Sequence, residues 1–244
     1  MFGFRKSPLP DGFFQGGCDI HCHLLPGVDD GFPSQEKSFH ALKKLEEQGV
    51  SKMILTPHFM TIYPENNRDN IKAKFEAFKA EAERICHIEI RLAGEYMLDK
   101  GFQDRFDEGF LTLDKSGRHV LCETSYKMFG PMFENMLYDI MCEDFQPVIA
   151  HPERYEYAGK RIYMGWKNKR YVFQLNLLSL AGAYGEPARL KAHFLLDAGM
   201  YDYVGSDMHN LDNFRCFLPK LKLKTKDIDK IAKLIENNNK LYSM

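Results

Sequence analysis

The sequence lacks the long apolar runs that a membrane protein needs. No such run approaches the ~20 residues that cross a bilayer. The first residues, MFGFRKSPLPDGFFQGG, also lack the continuous apolar region and the small-residue cleavage site of a secretory signal. The 6 cysteines are scattered without a CxxC pair. Together these absences favour a reducing compartment with free thiols, and we expect a cytoplasmic protein.

The sequence also has no excess of charge of either sign, with 33 basic and 34 acidic residues and a formal charge of -1. This balance gives no reason to expect nucleic acid or an anionic membrane as a partner. The 244 residues are enough for one sizeable core, and no internal repeat or linker stands out. We expect an N-terminal extension over residues 1–17 and a single domain over residues 18–244. The extension either packs as an extra element or mediates assembly.

Strand-like and helix-like runs alternate along the chain. Seven alternations predict an α/β fold in which helices cover a parallel sheet. Closure into a barrel is our preferred architecture, although the pattern also permits an open sheet. Helices are predicted from Ser34 to Gly49 and over 67–86, 131–144, 186–198 and 225–240. Strands are predicted at 17–22, 50–56, 88–94, 119–124, 146–151, 171–177 and 201–206.

Side chains that can bind metals follow six of the seven predicted strands. In a (β/α) barrel the chemistry lies at the carboxyl-terminal ends of the strands. Residues i and i+2 of a strand share a face, so His21 and His23 converge, and Asp207 and His209 repeat the arrangement. Asp29 and Asp30 follow in a turn, where only one of them points inward easily. The candidate metal ligands are His21, His23, Asp30, His58, Glu95, Glu123, His151, Asp207 and His209.

Each histidine pair alone is weak evidence, because hydrogen-bonded core or surface histidines are commoner than metal ligands. The combination of imidazoles and carboxylates without thiolate suits Mn²⁺, Fe or Zn²⁺ and not a closed structural zinc site. Nine candidates are too many for one ion. Two or three ions bridged by carboxylates would use them all, and such clusters activate water as hydroxide for phosphoryl transfer.

The cysteines argue against a thiolate mechanism. Phosphatases that use a cysteine nucleophile need an arginine six positions after it. None of the 6 cysteines has an arginine at that spacing. A metal-dependent mechanism therefore stands as the better interpretation.

Several of these motifs, in this order, resemble a known family. "DIHCHLLPGVDDG", "TPH", "GE", "HPER" and "SDMHN" are similar to those of the polymerase and histidinol phosphatase (PHP) superfamily. Within it the sequence resembles the manganese-dependent bacterial protein-tyrosine phosphatases of the capsule and exopolysaccharide type. The resemblance implies a distorted (β/α)7 barrel with Mn²⁺ as the cofactor. It also implies direct attack of a metal-activated hydroxide on phosphotyrosine, without a phosphocysteine intermediate.

The resemblance further implies how the candidate residues act. Arg154 and Arg215 match positions where the family has phosphate-binding arginines, although Arg215 lies about one residue further along than the family pattern. The implied partner is the phosphotyrosine tail of a bacterial tyrosine kinase that regulates polysaccharide export. The implied ligand sets are His21, His23, Glu95 and Asp207 for one ion; Glu95, Glu123 and His151 for a second; and Asp30, His58 and His209 for a third.

Other functions remain open from the sequence. A phosphatase for a small metabolite such as histidinol phosphate would use the same cluster. A nuclease is disfavoured by the absence of a basic stripe. A non-catalytic metal-binding module rarely combines so many carboxylates with arginines. An amidohydrolase also begins with HxH, but it usually needs a lysine at a strand end, and none is present.

Overall fold

Strands and helices alternate along the whole chain in the computed structural model, which describes residues 7–128 and 131–244. The strands are β1 (Gly17–Cys22), β2 (Val50–Leu55), β3 (His58–Phe59), β4 (Glu89–Leu92), β5 (Glu95–Met97), β6 (His119–Glu123), β7 (Gln146–Ala150), β8 (Val172–Asn176) and β9 (Tyr203–Gly205). The helices are α1 (Gln35–Glu47), α2 (Arg68–Ala82), α3 (Phe102–Asp107), α4 (Pro131–Cys142), α5 (Lys160–Asn168), α6 (Gly185–Asp197), α7 (Leu211–Phe217) and α8 (Thr225–Ser243).

All seven predicted strands are present, and two of them are followed, after a break, by a short further strand that was not predicted. The break between β2 and β3 falls at Pro57, which has no N–H for a sheet hydrogen bond. The break between β4 and β5 falls at Gly94, where a Cβ would lie 2.8 Å from the ring of Phe59. The nine strands therefore occupy seven positions around the sheet, which we call staves. Strands β2 and β3 form one stave, β4 and β5 form another, and each remaining strand is a stave by itself.

The seven staves close into a barrel, as the sequence predicted. All strand pairs are parallel, in the orders β1-β2-β4 and β3-β5-β6-β7-β8-β9. Two backbone hydrogen bonds join the end of the last stave, β9, to the end of the first stave, β1. The N–H of Asp207 donates to the carbonyl of His21 at 2.8 Å, and the N–H of His23 donates to that of Met208 at 3.0 Å. The strand ends on both sides of the closure therefore lie side by side.

The five predicted helices are present, and α3, α5 and α7 are additional. These three have only 6, 9 and 7 residues, too short for a clear helical period. Helix α1 has the predicted ends, since the Ser34 side chain accepts from the N–H of Lys37 and Gly49 adopts a φ of +91°. Helix α2 ends at Ala82, four residues before the predicted 86.

The described part of the N-terminal extension packs on the barrel. Ser7 and Leu223 exchange two backbone hydrogen bonds of 2.8 and 2.9 Å, and Phe14 packs against the core. Residues 1–6 of the predicted extension lie outside the described residues. Among the residues that the structure describes, no helix has both the length and the apolar character that crossing a bilayer requires.

Helix α8 closes the seam between β1 and β9. The buried side chain of Asn238 donates to the carbonyl of Cys18 on β1 at 2.8 Å and to that of Val204 on β9 at 2.6 Å. Its Oδ1 accepts from the N–H of Val204 at 3.2 Å. Further along α8, Leu241 and Tyr242 pack into the apolar cluster that includes Ile20, Leu121 and Val148.

We expect Asn238→Leu to lower the free energy of unfolding by about 3 kcal/mol, because it leaves buried backbone groups of two strands unpaired. Denaturant unfolding measures this change. Asn239→Leu is the control on the same helix, since the Asn239 Oδ1 has no hydrogen-bond partner. Equal stability losses in both variants would contradict this role of Asn238.

Candidate metal centre

Four of the predicted ligands meet at the mouth of the barrel where β1 and β9 end. The Nε2 atoms of His21 and His23 lie 3.2 Å apart. Each is 3.3 Å from Oε2 of Glu95 and 3.4 Å from Oδ1 of Asp207. Ligands placed about 2.0–2.1 Å from a shared ion in a tetrahedron have separations of this size. The four atoms therefore fit one cation.

The tautomers of the two histidines leave their Nε2 atoms free for a cation. Nδ1 of His21 lies 2.9 Å from Oε1 of Gln174, and Nδ1 of His23 lies 2.9 Å from Oδ2 of Asp29. Both partners are acceptors, so each Nδ1 carries the proton of the neutral ring. Two Nε2 lone pairs then face each other at 3.2 Å, an arrangement that a cation between them stabilises.

A β-bulge and a glycine bring both histidines into the barrel. Asp19 lies opposite Met53, and Cys22 lies opposite Leu55, so β1 has one more residue than β2 in this interval. At Gly31 a Cβ would lie 2.3 Å from the carbonyl oxygen of His23. Only glycine therefore lets the loop after β1 fold back against this histidine.

A second group of donors surrounds the carboxylate of Glu95, at the ends of the three neighbouring staves. Its Oε2 lies 3.0 Å from Nδ1 of His58, and its Oε1 lies 3.0 Å from Nε2 of His151. Oε1 of Glu123 is also 3.0 Å from Nδ1 of His58, whereas its Oε2 is 3.9 Å from Nε2 of His151. Glu95 thus contacts both this group and the pair of histidines on β1.

A third group lies at the outer rim of the mouth. Oδ1 of Asp30 is 3.4 Å from Nε2 of His58 and 3.3 Å from Nε2 of His209. The neighbouring Asp29 instead accepts hydrogen bonds from His23 and from the backbone N–H groups of His58 and Gly31. Asp30 therefore faces the other donor atoms, whereas Asp29 forms hydrogen bonds with His23 and with the backbone, as the sequence predicted.

All nine predicted ligands are thus brought together, but their contacts overlap more than three separate sets would. His58 faces Glu95 and Glu123 with Nδ1 and Asp30 with Nε2. In the part of the chain that the structure describes, donor atoms within 4.8 Å of one another form three groups. These groups are His21, Glu95, His151 and Asp207; His58, Glu95 and Glu123; and His23, His58 and His209.

Several buried atoms of this cluster have no partner in hydrogen-bonding geometry, although Nδ1 of His58 lies 3.0 Å from carboxylate oxygens of Glu95 and Glu123. The atoms without such a partner are Nδ1 of His58, Oε2 of Glu95, Oε1 of Glu123 and Nδ1 of His151. Buried polar atoms are almost always hydrogen-bonded, so unpaired ones indicate a missing ligand or ion. Their position among imidazoles and carboxylates fits Mn²⁺, Fe or Zn²⁺.

Two carboxylates of the cluster, those of Glu95 and Asp207, are held in their charged form. Burial favours the protonated form of Asp207 and Glu95, but the surrounding imidazoles outweigh it and hold both pKa values well below the usual range. Arg154 adds to the effect at Asp207. Buried negative charge of this kind requires positive charge nearby, which bound cations would supply.

Arg154 lies beside the cluster on the 3₁₀ turn Pro152–Arg154. Its Nη1 donates to Oδ2 of Asp207 at 2.6 Å. Its guanidinium lies between the rings of Tyr126 and Tyr184, 4.4 and 4.1 Å from their centroids. Within residues 7–128 and 131–244, Nη1 is the only guanidinium nitrogen of Arg154 that donates to a protein oxygen, so the other donors can bind an anion. Arg154 lines a cleft at the mouth together with Asp30 and His209.

Arg215 lies on α7 and lines an adjacent cleft that shares Asp30 and His209 with the first. The two predicted arginines therefore flank the rim of the cluster from different sides.

Four further residues of the site were not predicted from the sequence, namely Tyr126, Tyr184, Gln174 and Asn176. The two amides had a signal, since they lie two residues apart at the end of a predicted strand.

Fold and site together define a class, a closed parallel barrel with a multi-ligand metal centre at its carboxyl-terminal mouth, as in metal-dependent hydrolases. The family model for capsular polysaccharide synthesis, CpsB/CapC, matches residues 17–239. The chain belongs to this family, which confirms the resemblance found in the sequence.

The relatives carry names that agree with this family. The chain is 28% identical over 209 residues to the tyrosine-protein phosphatase YwqE of Bacillus subtilis, covering 79% of this chain and 77% of YwqE. It is 25% identical to the putative tyrosine-protein phosphatase CapC of Staphylococcus aureus, covering 83% and 81%. A solved structure from a study of YwqE and of CpsB from Streptococcus pneumoniae, described as unique metal-dependent tyrosine phosphatases, has the same fold. Its TM-score is 0.77 at 24% identity, covering 93% of this chain and 94% of that one.

We expect Mn²⁺ at about 100 times its Kd to raise the unfolding temperature of the chelator-treated protein by about 5–10 °C. Glu95→Gln should remove most of this rise, because Glu95 belongs to two of the three donor groups and also contacts His23 and His58 of the third. In the absence of metal this variant should unfold at a lower temperature than the parent, because the imidazoles around residue 95 lose the buried charge that they pair with.

Differential scanning fluorimetry with and without Mn²⁺ measures both effects. Glu89→Gln, on the exposed start of β4, is the matched control and should respond to Mn²⁺ as the parent does. A full metal response in Glu95→Gln would refute the central position of this carboxylate.

Proposed function

We propose that this chain is a metal-dependent protein-tyrosine phosphatase of the capsule and exopolysaccharide type. The observation that carries the proposal is the convergence of nine imidazole and carboxylate side chains on one mouth, with Arg154 beside them. Membership of the CpsB/CapC family and the names of the relatives support it. The reaction would be hydrolysis of a phosphotyrosine monoester to tyrosine and inorganic phosphate.

The proposed cofactor is Mn²⁺, as two or three ions. The donor atoms support a shared centre in which Glu95 would contribute to more than one ion, since its two oxygens face different histidines. When bound, the ions would activate water as hydroxide and neutralise charge on the phosphoryl group. The proposed ligands are His21, His23, Asp30, His58, Glu95, Glu123, His151, Asp207 and His209.

Arg154 is the proposed phosphate-binding residue of the protein itself. The two tyrosine rings fix the plane of its guanidinium, and the bond to Asp207 fixes its position along that plane. A planar fork held in this way neutralises the non-bridging oxygens of a phosphoryl group as charge develops on them. Arg215, from the adjacent cleft, is proposed to bind the same group from the other side of the rim.

The cysteines do not take the role of nucleophile in this proposal. Cys18, Cys22 and Cys122 are buried, and burial raises the pKa of each thiol. A thiol with a raised pKa is a poor nucleophile at neutral pH. All 6 cysteines are free thiols in the structure.

The proposed substrate is the phosphotyrosine tail of a bacterial tyrosine kinase that regulates capsule synthesis, reached in the cytoplasm. The described cleft is open at the barrel mouth and contains both polar donors and the Tyr184 ring. A phosphorylated side chain on a mobile peptide tail would enter such a mouth without rearrangement of the barrel.

We expect the Mn²⁺-loaded protein to release phosphate from a phosphotyrosine peptide and not from histidinol phosphate. A malachite green assay on both substrates, after chelator treatment and Mn²⁺ addition, measures this. Glu95→Gln serves as the inactive control. Preference for histidinol phosphate would move the function to metabolism, and turnover of neither substrate by metal-loaded protein would refute the proposal.

We expect Arg154→Ala to slow hydrolysis by about 10²-fold, as loss of a transition-state anion donor does, while the metal content is retained. Arg154→Lys should recover only part of the rate, because an ammonium cannot replace a planar fork. Steady-state kinetics and metal analysis of both variants test this. Arg161→Ala, on the exposed side of α5, is the control. Full activity of Arg154→Ala at limiting substrate would contradict the assigned role.

A further inference from the structure

One stave of the barrel contributes no candidate metal ligand. Every other stave ends in at least one of the nine donors, but β8 ends in Gln174 and Asn176, which no assigned role includes. Residues two apart on a strand share a face, so both amides point into the barrel. Both are fully buried. A buried amide is stable only when its donors and acceptors are matched, which makes their partners informative.

Gln174 is an acceptor toward His21. Its Nε2 donates to the carbonyl of Leu175, which turns Oε1 toward Nδ1 of His21 at 2.9 Å. The space for this contact comes from Gly205 on β9. A Cβ at that position would lie 2.6 Å from Cβ of His21 and 3.0 Å from Nε2 of Gln174. The neighbouring strand thus leaves room for His21 and Gln174 together.

Asn176 is a donor toward Asp207. Its Oδ1 accepts from the N–H of Leu178 at 3.1 Å, which turns Nδ2 the other way. Nδ2 then donates to Oδ2 of Asp207 at 2.8 Å and to the hydroxyl of Tyr184 at 3.0 Å. With Oδ2 occupied, Asp207 presents Oδ1 to the two histidines of β1.

We propose that Gln174 and Asn176 are positioning residues for the metal centre, with opposite polarity. Gln174 accepts the Nδ1 proton of His21 and so directs the Nε2 lone pair to the ion. Asn176 donates to one oxygen of Asp207 and so directs the other oxygen to the same ion. Such partners of metal ligands orient them, and their loss typically weakens metal affinity by about 10–100-fold. The inference rests on the proposed function, because it assumes that the cluster binds metal.

Because Gln174 acts as an acceptor and Asn176 as a donor, two isosteric amide-to-acid substitutions on β8 should have different effects and test the proposal. Gln174→Glu keeps an acceptor for His21, so Mn²⁺ affinity should stay within about 3-fold of the parent or increase. Asn176→Asp keeps the acceptor for Leu178 but loses the donor and places a second carboxylate against Asp207. Its Mn²⁺ affinity should fall by about 10–100-fold. Competition between the chelator-treated protein and a fluorescent chelator for Mn²⁺ measures the affinities.

Two further variants separate positioning from packing. Gln174→Met has the size of glutamine without its acceptor and should bind Mn²⁺ about 10-fold or more weakly. Asn176→Ser can still cap Leu178 without adding charge, and it should weaken binding as Asn176→Asp does. Unfolding temperatures in chelator identify any variant that is merely unstable. Gln146→Met, at the opposite end of β7, is the control with unchanged affinity.

The outcomes distinguish this inference from the function on which it rests. Weaker binding in Asn176→Asp with retained binding in Gln174→Glu supports it. Equal changes in both acid variants, whether tighter from added charge or weaker from disturbed packing, overturn it. A parent protein that binds no Mn²⁺ overturns the proposed function, and the inference with it.

Discussion

The carboxylate of Glu95 is the contact on which the centre depends. One of its oxygens lies within 3.0–3.3 Å of three imidazole nitrogens, from His21, His23 and His58, and the other faces His151. These four histidines come from three different staves, so this one side chain fixes their relative positions. Glu95 follows the break at Gly94, where the ring of Phe59 leaves no room for a Cβ. The short strand β5 that begins at Glu95 after this break was not predicted from the strand pattern.

The cluster is also held by backbone conformations that cost free energy. His151 and Asp207 adopt positive φ angles of +32° and +50°, which side chains with a Cβ rarely adopt. Both residues end a stave, where the chain must turn away while the side chain stays in the mouth. The hydrogen bond from Asp207 N–H to His21 and the paired contacts around Glu95 offset this strain. A centre built from strand ends thus depends on the closure of the whole barrel.

The side chains at the strand ends could be predicted from the sequence because two local patterns place them there. The alternation of strand and helix places each strand end on one rim, and the two-residue period of a strand pairs His21 with His23 and Asp207 with His209. Features that depend on contacts between distant residues could not be predicted in this way. The bulge in β1 is defined only by its register with β2. The enclosure of Arg154 by Tyr126 and Tyr184 joins three loops, and no spacing in the chain indicates it.

The protonation of the ligands His21 and His23 is linked to Gln174 and Asp29, the residues that accept hydrogen bonds from their rings. Burial favours the neutral form of His21 and His23, yet the neighbouring carboxylates raise the pKa of both rings above the usual value. An imidazole that binds a metal ion must be neutral, so protonation of these rings competes with metal binding, which therefore weakens as the pH falls. The Nδ1 protons stay in place, because Gln174 and Asp29 accept them whether the centre holds protons or metal. The residues behind the ligands therefore keep the rings in one orientation through that exchange.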